Sequence, residues 1–419
     1  MASARTVIIA GAGIGGLTAA LTLARAGFDV EIFEEEPVLD EIGAGLQLSP
    51  NASRVLLALG LGERLKPHVV APSEVSIKSS AGKEIARIPL GDLAAQRYGA
   101  PYWVIHRADL QSVLIEAVRA SPNIRLALNA QVNDFERAAD GVKVQGWRDR
   151  TDFSDYEPTD GFAFETRGIA LIGADGLGSI MRYLVSRSFR RPTGDGELIY
   201  SNRTAWRATV PRDAVSAEFR EPVVHLWLGR KAHLVHYPIR DGAAINIVAI
   251  TNFNRNNPEW SKIEGTLAQV LPHYPRADWS ERAQKTLAAS ERWQRYQLFH
   301  RSPRRRWGLG PVTLLGDSAH LMLPYLAQGA AMAIEDAAVL ADCLSKTPDE
   351  PEQALRRYED ERRPRTARVQ RTARRNGLIY HLGGRAATAR DFVLRRMSGE
   401  KLLTRFDWLY DWRPTPDTE

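Results

Sequence analysis

The strongest constraint on this chain lies at its start. A run of β-branched and apolar residues, Thr6 to Ala10, enters Gly11-Ala12-Gly13-Ile14-Gly15-Gly16, and a second such run, Asp29 to Phe33, ends at Glu34. Strand, glycine loop, helix and strand in this order form a dinucleotide clamp. Gly11 allows the tight turn, Gly13 lets backbone approach a pyrophosphate, and Gly16 lets the helix predicted over Leu17 to Ala26 pack close to the strand. The helix then presents free N–H groups and its positive dipole end to the phosphates, with Ala12, Ile14 and Gly15 completing the cradle. Glu34, at the end of the second strand, is placed to accept hydrogen bonds from the ribose hydroxyls. The clamp alone suits NAD and FAD equally.

Composition narrows the remaining options. A length of 419 residues allows two domains or one elaborated domain, and 44% hydrophobic with 25% charged residues is ordinary for a globular chain. No run of about 20 apolar residues is present, and the first strand starts too near Met1 for a signal peptide, so a cytoplasmic location and no membrane partner are expected. The single cysteine, Cys343, excludes an internal disulfide or a multi-cysteine metal site. The net charge of +6 comes largely from Arg301 to Arg306 and Arg356 to Arg375. Acids Glu359, Asp360 and Glu361 interrupt the second group, which reads as a solvated helix face or subunit contact, and no nucleic-acid partner is expected.

Further along, Glu41 to Asn51 is a small-residue segment whose Gly45 backbone can lie against a flat ligand, followed by a helix over Ala52 to Leu59. Alternating runs at Glu74 to Lys78 and Glu84 to Ile88 predict a hairpin. A helix over Ala108 to Ala120 precedes strands near Ile124 to Leu128, Val132 to Glu136 and Val142 to Trp147, and the polar stretch Asp149 to Asp160 reads as an exposed tip. Ile169 to Ile172 and Val312 to Leu315 are apolar strands returning to the nucleotide sheet. Between them, Arg203 to Val210, Val223 to Leu228, His233 to Ile239 and Ala244 to Ile250 alternate as a largely antiparallel sheet. The expected architecture is α/β: a discontinuous Rossmann-like dinucleotide domain (1–73, 98–189, 301–345), an inserted β-sheet substrate domain (74–97, 190–300) and a C-terminal helical region (346–419).

Three separated segments then coincide with one signature set: Gly11 to Gly16 with Glu34; Gly173-Ala174-Asp175-Gly176-Leu177-Gly178-Ser179-Ile180-Met181-Arg182; and Gly316-Asp317-Ser318-Ala319-His320 followed by Pro324 and Ala327-Gln328-Gly329. In this order they resemble the class A flavin-dependent aromatic hydroxylases, whose FAD domain is of the p-hydroxybenzoate hydroxylase type. The likeness extends through Trp206-Arg207-Ala208 to the tail Phe406 to Tyr410. Within that family the chain looks nearest to the branch of salicylate hydroxylase, 3-hydroxybenzoate 6-hydroxylase and 6-hydroxynicotinate 3-monooxygenase.

The resemblance implies roles. Asp317 is placed like the family acid at the ribityl chain, Arg107 like the arginine that contacts FAD, and Asp175 like the acid associated with the pyrophosphate and nicotinamide. An aspartate before glycine or serine equally makes a turn or helix cap. Pro324, Gln328 and Gly329 precede a helix whose N–H groups can face the flavin and stabilise negative charge on it. His233 and Tyr237 share one face of a strand, and the resemblance places both in the substrate pocket. Oxygen transfer from a flavin C4a-hydroperoxide is electrophilic, so a ring hydroxyl converted to phenolate is activated ortho and para. A histidine is the natural base for that proton. Tyr325, Tyr102 and His225 are weaker candidates to contact the substrate, with core packing as the competing role for both tyrosines, and His320 reads as structural.

The expected function is therefore an FAD monooxygenase that uses NADH or NADPH and O2 on a small, hydroxylated, anionic aromatic or N-heteroaromatic acid. The absence of a second GxGxxG unit agrees with a nicotinamide that docks transiently. Two other classes compete: an NAD-dependent dehydrogenase using the clamp for NAD, and a non-enzymatic flavin-bound redox sensor or binding module. The arginine-rich helix and the aromatic tail Phe406 to Trp412 are candidate faces for a homodimer.

Overall fold

A computed structural model describes residues 5–39, 44–148, 162–188, 197–252 and 263–414. Its centre is a five-stranded parallel sheet in the order Val312–Leu314, Ala170–Gly173, Thr6–Ala10, Asp29–Phe33, Ile124–Ala127. Thr6–Ala10 is buried along its whole length because helices cover both faces of a parallel sheet. The small-residue helix Ile14–Arg25 packs against another, Gly329–Lys346, and also against Arg107–Arg119. The apolar strands at Ile169 to Ile172 and Val312 to Leu315 do return to this sheet, parallel to their neighbours.

The second large unit is an eight-stranded sheet in the order Ile263–Thr266, Arg292–Arg301, Leu198–Pro211, Ala244–Asn252, Ala232–Ile239, Val223–Gly229, Glu74–Ser79, Glu84–Pro89. All its pairings are antiparallel except Val223–Gly229 with Glu74–Ser79. The expected hairpin at 74–88 thus continues this sheet. Arg292–Arg301 was not expected as a strand, because its polar residues hide the alternation: Arg295 and Gln297 occupy buried positions alongside Trp293. A short antiparallel sheet of Gly45–Leu48, Trp103–His106 and Val69–Val70 sits at the junction of the two large sheets. Ala130–Ala138, Gly141–Arg148 and Phe162–Gly168 form a small separate sheet, and the tip expected at Asp149 to Asp160 lies outside the described residues, as do Glu41 to Gly43.

The C-terminal helices lean across both units, led by the thirty-residue helix Pro351–Tyr380. The aromatic tail, a candidate dimer face, packs in part against its own chain. Leu409 and Tyr410 are buried, Arg365 donates to the carbonyls of Trp408 and Leu409, and Arg97 pairs with Asp407 at 2.6 Å. Among the described residues no helix is long and apolar enough to cross a membrane.

Candidate active site

One cavity of about 300 Å³ opens between the glycine loop and the face of the eight-stranded sheet. On the first wall, the loop keeps the geometry that its glycines permit. Gly11 has φ +105°, and a Cβ there would stand 2.5 Å from the Ala174 carbonyl; one on Gly16 would stand 2.0 Å from the Gly11 carbonyl. Gly13 and Gly329 line the cavity, and a Cβ on either would meet nothing within 4 Å. Bare backbone therefore faces open space at the starts of the helices Ile14–Arg25 and Gly329–Lys346, as an anionic cofactor requires. Gly15 also lines the cavity, while Ala12 is buried and its N–H donates to Glu34 Oε2 at 2.6 Å. Glu34 Oε1 accepts from the Glu36 N–H at 3.0 Å, so this carboxylate braces the loop from the strand end and is not among the cavity-lining residues.

Asp317 and Arg107 both line the cavity. The Asp317 side chain is open to the cavity but hemmed in by protein. Burial raises its carboxyl against the opposing pull of His320 and Arg107. The turn carrying Asp317 is fixed from below: the Gly316 N–H donates to Asp336 Oδ2 at 3.1 Å, His320 Nε2 lies 2.5 Å from the same oxygen, and Arg362 Nε donates to Oδ1 at 2.7 Å. Burial alone raises the Asp336 carboxyl, yet His320 and Arg362 outweigh it and hold the group below its ordinary value. Arg362 also reaches Glu335 at 2.7 Å, and Glu335 accepts from Asn51 at 2.6 Å. Gln328 belongs to this same network. Its side chain donates to Ser49 Oγ at 2.8 Å and accepts from Asn51 at 3.1 Å, which orients the start of the helix at Gly329.

Asp175 departs from its expected role. Its carboxylate accepts from Ser179 Oγ at 2.5 Å, the Met181 N–H at 2.9 Å and Ser318 Oγ at 3.0 Å, and it is absent from the cavity lining. It works as a helix cap that ties the two aspartate turns together, because the serine four residues on begins a helix. Its backbone neighbours Ala174 and Gly176 do face the cavity.

The second wall is the inner face of the eight-stranded sheet. His233, Val235 and Tyr237 line the cavity together with Val248, Ile250 and Arg207. The register explains the grouping: Arg207 pairs with Val248, and Val248 with Val235. Gly45 closes the seam between the walls. Its N–H donates to Asn246 Oδ1 at 2.7 Å, and a Cβ there would stand 2.7 Å from the Tyr237 ring and hydroxyl. Burial raises the Tyr237 phenol, with Arg207 opposing, so the group stays protonated at neutral pH.

His225 was expected at the substrate, but it lies on the other face. It pairs with His236 across the strands, its ring stacks on His236 at 4.6 Å, and Phe219 covers both. Strand alternation separates His236 from His233, and His225 goes with His236. Tyr325 and Tyr102 do not line the cavity either. Tyr325 buttresses His233 at 5.4 Å between centroids, and burial pushes its phenol up to about 12. Tyr102 donates to Gln47 Oε1 at 2.6 Å, and Gln47 is the residue that reaches the cavity. Pro324 lines it directly, at the start of a turn that ends with Ala327 at φ +52°.

Three polar residues at the site were not expected from sequence. Arg207 and Gln47 line the cavity, and His381, at the end of the long helix, sets its Nε2 2.7 Å from His233 Nδ1. Arg207 was visible only as part of a family segment, Gln47 lay within the small-residue loop, and nothing in the spacing relates His381 to His233.

Comparison with known proteins places the chain in a family. A family model for an FAD binding domain matches residues 4–373. The 3-hydroxybenzoate 6-hydroxylase 1 of Aquipseudomonas alcaligenes is 37% identical over 406 residues, covering 96% of this chain and 97% of the relative. The 3-amino-4-hydroxybenzoate 2-monooxygenase of Streptomyces cremeus is 36% identical, covering 96% and 94%. The crystal structure of Klebsiella pneumoniae HpxO complexed with FAD and uric acid has a TM-score of 0.79 at 25% identity, covering 96% of this chain and 95% of that one. The chain belongs to the FAD binding domain family. Within it, the chain is a flavin-dependent monooxygenase of the aromatic hydroxylase class, and its dinucleotide is FAD. The NAD-dependent dehydrogenase reading is thereby set aside.

Proposed function

We propose that this enzyme hydroxylates a small aromatic carboxylic acid that already bears a ring hydroxyl, with NADH or NADPH as reductant and O2 as oxygen donor. The observation that carries this reading is the single cavity in which Arg207, His233 and Tyr237 face the FAD clamp. Bound FAD supplies the redox chemistry, taking two electrons from the nicotinamide and activating O2. The protein's part is to bind, orient and remove a proton. Arg207 receives the substrate carboxylate as a charge-assisted pair. His233 accepts the ring-hydroxyl proton, and Tyr237, held protonated, donates a hydrogen bond to the ring substituent. Asp317, Arg107, Gly13 and Gly329 hold FAD, with Glu34 toward its ribose, and Pro324 shapes the ground between flavin and ring.

The named relatives support a hydroxybenzoate, since both act on benzoates bearing a hydroxyl. The uric acid complex of HpxO favours a second reading in which an N-heteroaromatic ring is the substrate. Purified holoenzyme is tested for NADH and NADPH oxidation stimulated by 3-hydroxybenzoate, 3-amino-4-hydroxybenzoate, 6-hydroxynicotinate and uric acid, with product identification. Hydroxylated product from a benzoate supports the first reading and product from a heterocycle the second. Oxidation with no product across the panel overturns both readings of the substrate. For a homodimer, the exposed Leu378, Phe392 and Val393 on the C-terminal helices offer the contact, and sedimentation of a Phe392→Glu variant as a monomer checks it.

A further inference from the structure

His233 is nearly sealed from solvent, and its contact with His381 has a consequence for which ring nitrogen can act as a base. We propose that His381 is a positioning residue for His233: by accepting the His233 Nδ1 proton at its own Nε2, it leaves the lone pair of His233 Nε2 facing the cavity. The inference rests on the reading of His233 as the base for a ring hydroxyl.

The argument concerns tautomers. A neutral imidazole carries one proton, so a histidine that is to accept at Nε2 must hold its proton at Nδ1. A buried N–H without an acceptor costs about 1–3 kcal/mol. Among the described residues, the hydrogen-bond partner of His233 Nδ1 is His381 Nε2, at 2.7 Å. In this arrangement His381 carries its own proton at Nδ1, a buried atom with no protein hydrogen-bond partner among the described residues, and that cost is set against holding His233 in its working tautomer. Without His381, the proton moves to Nε2, and His233 presents a donor to the cavity where a base is needed. Both rings stay neutral in the fold because burial pushes them down, His381 to about 3. Among the described residues, the charged and titratable groups around the pair are Tyr380 at the end of the helix that His381 follows, Tyr325 on the Pro324 turn, Tyr274, whose hydroxyl donates to the His233 carbonyl at 2.8 Å, and Arg203 on the strand Leu198–Pro211. Arg203 disfavours a cation on either ring, so His381 serves better as a hydrogen-bond acceptor than as a final proton sink. In the step itself the substrate O–H bond breaks and the His233 Nε2–H bond forms, while the Nδ1–H bond to His381 spreads the resulting charge.

The test compares holoenzyme variants His381→Phe and His381→Gln, with 3-hydroxybenzoate as probe. His381→Phe should retain FAD and its rate of flavin reduction by nicotinamide, yet lose about a hundredfold in product formation, the low end of what a general base contributes. The pH at which the bound probe shows phenolate absorbance should rise. His381→Gln, whose amide oxygen can accept the same proton, should recover most of the rate. Wild-type rate and pH profile in His381→Phe overturn the inference. So does a ¹⁵N histidine spectrum of the wild-type complex in which His233 carries its proton on Nε2, a readout that stands even where the phenylalanine variant does not fold. Failure of the wild type to hydroxylate any acid in the panel is a different result: it removes the functional reading, while the ¹⁵N spectrum still decides the pairing.

Discussion

Two buried polar clusters flank the cavity, and they are built on opposite plans. Beneath the flavin clamp, the fully buried Glu335 and Asp336 are matched by the fully buried Arg362 and by Arg365, and Asn51, Gln328, Ser49 and His320 complete the network. Behind the substrate wall, His233, His381, Tyr325 and Tyr380 are buried as neutral groups; burial pushes the histidines down and the tyrosines up. Charge matched to charge holds one geometry, because breaking any member leaves an ion stranded in low dielectric. A neutral imidazole pair can shift a proton from ring to ring without stranding an ion, although burial and Arg203 oppose a net charge on either ring. The flavin side is thus built to stay fixed, and the substrate side to hand a proton along.

The largest expected effect breaks the fixed side. Arg362→Leu removes the cation shared by Glu335 and Asp336, leaving Glu335 to Arg365 and Asp336 to His320 and the Gly316 N–H; it should cost about 3–5 kcal/mol of stability, with FAD released in the same denaturation transition. Next, His233→Ala should lower product formation by about 10²–10⁴ while the flavin absorbance of the purified protein is unchanged; a fully active variant would refute its role as base. Arg207→Gln should weaken 3-hydroxybenzoate binding about 10–100-fold, as expected for a lost hydrogen bond to a charged group, and leave binding of a phenol without a carboxylate almost unaltered. The smallest effect sharpens the comparison from the outer face of the same sheet. His225 is held at about 3 by burial, with Lys78 and Arg87 adding to it, against an ordinary value of 6.5. The unfolded chain binds its proton first as the pH drops, so stability present above about 6.5 is lost on acidification toward 3. His225→Leu should flatten that decline in a series of thermal melts and leave turnover unaltered.

What was legible in sequence follows the range of the interaction. The glycine loop, its flanking strands and the Gly316-Asp317 turn are local, and their glycines mark backbone that a Cβ would obstruct. Asp175 and Asp317 look alike as strand-end acids, yet Ser179 draws the first into a cap while the second opens on the cavity. Alternation correctly set His233 and Tyr237 on one face and His236 on the other. It was silent on His225, whose face depends on the register between strands. His381 reaches His233 across 148 residues of sequence, a distance at which no periodic pattern carries information. Arg292–Arg301 was missed because arginine at buried strand positions imitates a polar loop.

The central sheet orders the life of the chain as well as its shape. Thr6–Ala10 is synthesised first, but one neighbour in the sheet leads on to Val312–Leu314, and the helix that completes the cofactor cradle begins at Gly329. Such distant pairing delays closure of the sheet until most of the polypeptide has left the ribosome. FAD can therefore be captured only once the chain has been made through the helix that begins at Gly329, and its binding then shifts the folding equilibrium in favour of molecules whose central sheet has closed.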